Sequence, residues 1–112
     1  MGDSQYIKDY SVDLVKDKIQ VKFNVLLNSR NHYKFNVVNG KSNTTDIVME
    51  LYDKDKQLTS NLYNGKMYKD VQFICRSTKV YQLVFSVHGD GEGCAEAVLS
   101  LVKQYSEGEQ GF

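Results

Sequence analysis

A chain of 112 residues holds one domain with a core of its own and not comfortably two. Fourteen basic residues balance fourteen acidic ones, so no broad field draws the chain to phosphate backbones or anionic lipid, and nucleic acid is set aside as a default partner. The apolar stretches are short and broken by charge, far from the roughly 20 residues that a membrane-spanning helix requires.

Extended elements dominate the pattern. Residues 1–9 read as a flexible lead-in. Tyr10, Val12 and Leu14 then alternate with polar residues, although Ile7, Tyr10 and Leu14 also satisfy helical spacing. Val21, Phe23, Val25 and Leu27 fall at every second position, which a strand turns into one apolar and one polar face. Asn28 to Asn31 has the length and polarity of a hairpin turn, and Tyr33, Phe35 and Val37 resume the alternation. Asn39-Gly40 marks a turn, and 41–45 a polar loop. Ile47, Met49 and Leu51 make the next strand, closed by the charged turn Asp53 to Lys56, and residues 57–60 continue as a short one. Asn61 to Lys69 is a longer connection carrying Asn64-Gly65. Asp70 to Cys75 and Val80 to His88 are two more strands, separated by Ser77-Thr78-Lys79.

After the flexible stretch Gly89-Asp90-Gly91-Glu92-Gly93, residues 95–103 are apolar on both sides of a strand. They are also good helix formers, so a strand covered on both faces and a buried helix both fit. Residues 106–112 read as a flexible tail. The expected fold is an all-β, antiparallel, jelly-roll-like sandwich of seven or eight strands over residues 10–105, with an α+β fold ending in a helix as the alternative. Proline is absent, so Gly, Asn and Asp must carry the turns.

Nothing in the sequence assembles a catalytic set. His32 and His88 sit at strand ends, and neither G-x-S-x-G nor H-E-x-x-H occurs. A thiol-dependent enzyme built on Cys75 with His88 is the remaining catalytic option. Cys75 and Cys94 form either one disulfide or two buried thiols acting as small hydrophobes. Asp90 and Glu92 would repel phosphate. They suit calcium better, but two carboxylates fall short of the six to eight oxygens it takes, and the acidic turn at Asp53 and Asp55 is diluted by its lysines. No cofactor is expected. Asn43-Thr44-Thr45 is a formal glycosylation sequon.

The segment Leu62 to Tyr68 stands apart. It places Tyr63, Met67 and Tyr68 in a polar connection. A tyrosine offers a flat apolar face and a hydrogen-bonding tip, suited to a glycan or a protein partner, and Asn61 and Asn64 would bond nearby groups. The competing reading folds both tyrosines back over an open end of the sandwich.

The stretches HYKFNVV, DIVMELYDKDKQLTSN, DVQFICRSTKVYQLVFSV and GCAEAVLSLV carry a family resemblance. With Tyr33-Lys34-Phe35, then Leu51-Tyr52-Asp53 and Leu58, then Phe73 and Tyr81 to Val84, they resemble the bacterial pre-peptidase C-terminal sandwich and related small secreted domains of Bacteroidetes. The pattern covers about two thirds of the chain. The turn before Tyr81 departs from it by lacking the usual glycine. The resemblance implies a secreted or periplasmic, non-catalytic accessory or binding module, and it carries no catalytic residue. Export implies a leader removed ahead of Met1-Gly2, and a cytoplasmic setting is the alternative. A structural domain that pairs with a neighbour or with its own copy is the second functional expectation.

Overall fold

A computed structural model describes residues 5–15, 17–40, 46–87 and 91–106. Among these, ten strands and no helix are present. β1 (Gln5–Leu14), β10 (Gly93–Gln104), β3 (Asn31–Asn39) and β8 (Asp70–Cys75) form one four-stranded sheet in that order. β2 (Gln20–Leu27), β9 (Lys79–Val87), β4 (Ile47–Asp53) and β5 (Lys56–Ser60) form the second. β6 (Leu62–Tyr63) and β7 (Lys66–Met67) pair only with each other. Every pairing is antiparallel.

The alternation read from the sequence is the alternation that fills the core. Tyr10, Val12 and Leu14 of β1 and Tyr33, Phe35 and Val37 of β3 face Ile47, Met49 and Leu51 of β4 and Tyr81, Leu83 and Phe85 of β9. Each fully buried side chain of this size contributes roughly 1.5–3 kcal/mol relative to exposure. Phe23 of β2 is half-buried and joins the sheets at one side. Its ring lies 5.0 Å from that of Tyr10 and 5.9 Å, edge-on, from that of Phe85.

Three expectations change. First, β1 begins at Gln5, so residues 5–9 of the expected lead-in are strand, paired to β10 from Gln5↔Leu101 onward. The apolar signal is missing there because the side chains of Gln5 to Asp9 are exposed. Second, residues 28–30 do not make the expected hairpin, and the turn at 76–78 is not one either. β2 and β3 lie in different sheets, as do β8 and β9, so these turns are arches from one sheet to the other. Third, Asn61 to Lys69 supplies two further strands beyond the seven or eight expected.

The ambiguous last segment is strand. β10 is central in its sheet, flanked by β1 and β3. A bulge between Leu101 and Lys103 makes Val102 an extra residue while Leu101 still packs on the core, and Val98 lies half-buried on the outer face.

Of the two readings of Cys75 and Cys94, the disulfide is not formed; both are thiols, Cys75 buried and Cys94 exposed. Cys75 pairs with Asn31, which pairs with Gln104 at one end of β10, whereas Cys94 lies at the other end. That separation is about 30 Å of strand, against the 4.4–6.8 Å between Cα atoms that a bridge needs.

Candidate functional site

Between β5 and β8 the chain crosses from the second sheet to the first, and the β6–β7 hairpin is built on this crossing. Its base is Asn61, which is 1% exposed. The Asn61 side chain substitutes for strand backbone: Oδ1 accepts from Met49 N at 2.8 Å and Nδ2 donates to the Ile47 carbonyl at 3.2 Å. Its backbone N donates to the Met49 carbonyl, and its carbonyl accepts from Tyr68 N at 2.7 Å, closing the loop. Lys69 then ties the exit to the first sheet, its carbonyl accepting from Val37 N at 2.7 Å.

The hairpin turns on Asn64 and Gly65, with φ of 52° and 77°. Positive φ at both central residues is the type I′ turn, whose twist matches that of paired strands and which favours Asn-Gly. Leu62 pairs with Met67, and Tyr63 with Lys66. Side chains alternate along so short a ribbon: Leu62 and Met67 are half-buried, and Leu62 lines the groove beside β5. Tyr63 is turned outward, 65% exposed, and Tyr68 is 48% exposed. The reading in which both tyrosines cap the sandwich is therefore not what the fold does.

Between the hairpin and β5 runs a groove of about 460 Å³, lined by Gln57, Thr59, Ser60, Tyr63, Tyr68 and Asp70 among others. It presents two phenol faces beside hydroxyl, amide and carboxylate groups. Of the four expected ligand residues, the structure brings Tyr63 and Tyr68 onto one groove and leaves Asn64 exposed at the turn. It removes Asn61, whose amide is consumed inside the protein. Sequence reasoning missed Gln57, Thr59 and Ser60, which look like ordinary edge-strand residues until β5 is placed beside the hairpin.

The catalytic option loses its nucleophile. Cys75 is fully buried, and its thiol donates to the Ser77 carbonyl at 3.2 Å and lies 3.5 Å from the Tyr81 hydroxyl. His88 lies outside the described residues. His32 is on the outer face of the first sheet, its Nε2 2.7 Å from Gln72 Oε1. Of the calcium pair, Asp90 is outside the described residues and Glu92 is exposed. Among the described residues no group of three or more His, Cys, Asp or Glu is placed to hold a metal ion. The sequon at Asn43 also lies outside them. No described helix is long and apolar enough to cross a membrane.

No family model and no curated protein matches the sequence. Solved structures match the fold. The pre-peptidase C-terminal domain of a collagenase from Bacillus anthracis superposes with a TM-score of 0.68 at 13% identity, covering 85% of this chain and 89% of that one. PliG of Aeromonas hydrophila, a periplasmic lysozyme inhibitor of g-type lysozyme, superposes with a TM-score of 0.61 at 8% identity, covering 90% of each chain. The chain thus has the two-sheet sandwich fold of pre-peptidase C-terminal domains.

Proposed function

We propose that the protein is an exported, non-catalytic binding module that recognises a protein partner through the β6–β7 hairpin. The observation that carries this reading is the outward presentation of Tyr63 and Tyr68 on a turn anchored by a buried asparagine. Tyrosines on a rigid support lose little entropy when bound, and they are enriched where proteins meet. The groove beside them is open and of mixed character, with Leu58 and Leu62 beside its hydroxyl, amide and carboxylate groups, as protein interfaces are. The burial of the Cys75 thiol supports a role without catalysis. Two structures of the same fold, an accessory domain of a collagenase and a periplasmic inhibitor of an enzyme, support export and a protein-directed role.

The test is a phage-displayed peptide library panned on the immobilised chain, with purified g-type lysozyme and a soluble glycan array run alongside. Selected peptides, or lysozyme, are expected to bind the wild type and to lose affinity for Tyr63→Ala/Tyr68→Ala. Binders indifferent to the double variant would remove the hairpin from the account, and a response confined to the glycan array and lost in the double variant would replace the protein partner with a sugar.

A second reading, self-association, has its own observation. β2 is an edge strand of eight residues whose pairing with β9 runs without irregularity. Beside that edge Leu26 and Val80, register partners, are each 60% exposed. A long regular edge with apolar neighbours invites strand addition. Sedimentation velocity over a concentration series checks it: an Asn24→Pro variant should stay monomeric where the wild type self-associates, and a wild type that is monomeric throughout rules the reading out.

A further inference from the structure

The outer face of the second sheet holds a feature that the hairpin does not use. Side chains that point outward from a solvated sheet are expected to be wet. Val84 points outward from β9, in one cross-strand row between Lys22 of β2 and Glu50 of β4, yet it is only 4% exposed. Long polar side chains rise around it and leave an open cavity, a depression of about 240 Å³, above it. Gln20, Lys22, Glu50, Tyr52 and Gln82 line this cavity, and Lys54 and Asp55 of the β4–β5 turn close its rim. None of these residues lines the hairpin groove.

Three properties narrow what fits there. The charges cancel, Lys22 and Lys54 against Glu50 and Asp55, so the cavity favours neither an anion nor a cation. The amides of Gln20 and Gln82 each carry donors and an acceptor, which matches hydroxyl groups that also do both. Tyr52 adds a flat apolar surface held in place, because its hydroxyl donates to Glu50 Oε1 at 3.2 Å and lies 3.5 Å from Gln57 Oε1. The volume is below the roughly 300–1,000 Å³ of sites for drug-sized ligands, which limits the occupant to about one ring.

We infer that this cavity binds one neutral sugar ring, with hydroxyls on Gln82, Gln20 and Glu50 and a carbon face against Tyr52. The site is independent of the protein-binding hairpin, and either can fail without the other.

Amide-resolved NMR titration of the full chain with methyl glycosides of glucose, galactose, mannose and N-acetylglucosamine tests it, with glucuronate and inorganic phosphate as charged probes. At least one neutral glycoside is expected to shift the amides of Lys22, Glu50, Tyr52, Gln82 and Val84 saturably, and the charged probes are not. Gln82→Ala should weaken that binding about tenfold, the loss of one good hydrogen bond to ligand. Tyr52→Ala removes the ring face and should weaken the binding as well, and Tyr63→Ala/Tyr68→Ala should bind the sugar as the wild type does. Absence of saturable shifts at the solubility limit of every glycoside, an equal response to glucuronate or phosphate, or binding that survives Gln82→Ala would overturn the assignment.

Discussion

Asn61 shows how one side chain decides what a segment can do. It was expected at the ligand surface and instead sits beneath it, supplying a donor to the Ile47 carbonyl and an acceptor to Met49 N. Removing it strands two buried backbone groups, so Asn61→Ala is expected to cost about 2–6 kcal/mol in a urea melt, at 1–3 kcal/mol per orphaned group. Asn64→Ala, at an exposed turn position, should cost far less. Tyr81 is a second case. Burial, and then the neighbouring Cys75 thiol, pushes its phenol well above its ordinary value of 10.0. Unfolded chains release this proton near pH 10 while the folded protein keeps it. The contribution is therefore complete below about pH 10 and is lost as pH rises beyond it. Stability should fall above about pH 10, and Tyr81→Phe should flatten that fall while weakening the protein at neutral pH through the lost bond to the Ser77 carbonyl. The cysteines give a third check. A thiol reagent should modify Cys94 in the native protein and reach Cys75 only on unfolding, since one is exposed and the other buried. Rapid modification of both would mean that the Cys75 end of the core opens.

At the scale of elements, the alternating strands were legible and their partners were not. Tyr33, Phe35 and Val37 announce a buried face because the period-two pattern is a property of one strand. Pairing is a property of two, and a three-residue link such as 28–30 closes a hairpin or an arch with the same polar residues. Arg30 has φ of 65° here, and its carbonyl accepts from Tyr105 N, a contact that no local pattern encodes. β10 was ambiguous because its good helix formers also place Val98 on the outer face, and its bulge at Val102 interrupts the alternation further. The hairpin was half legible. Asn64-Gly65 is a strong turn signal, but two-residue strands are too short to show a period. Its dependence on that turn is testable. A Cβ at Gly65 would meet nothing within 4 Å, so Gly65→Ala acts through its φ of 77° alone. The expected cost is about 1 kcal/mol, and the sign of the effect is read directly by thermal denaturation. Binding through Tyr63 should weaken in the same variant, because the ribbon that aims the ring is the part that loosens.

Across the whole molecule, the two sheets make a scaffold whose interior is committed to packing. Leu51→Ala or Leu83→Ala should cost about 2–5 kcal/mol, as buried leucines in a shared core do, and neither should alter the surface groove. The surfaces proposed to bind all lie on what the scaffold displays: the hairpin at the crossing between sheets, the regular β2 edge, and the polar depression over Val84. The composition foretold this division only in outline. The sequence shows a balanced charge and tyrosines in a polar connection. They cannot say which loop binds, since that depends on which side chains the sheets have already used. The most direct measurement is the affinity of library-selected peptides, or of g-type lysozyme, for the wild type and for Tyr63→Ala/Tyr68→Ala, each shown by its melting curve to be folded. A protein-binding hairpin predicts a loss of at least about tenfold with the melting transition unmoved, since exposed interface tyrosines carry energy of that order. Equal affinity in both proteins would contradict it.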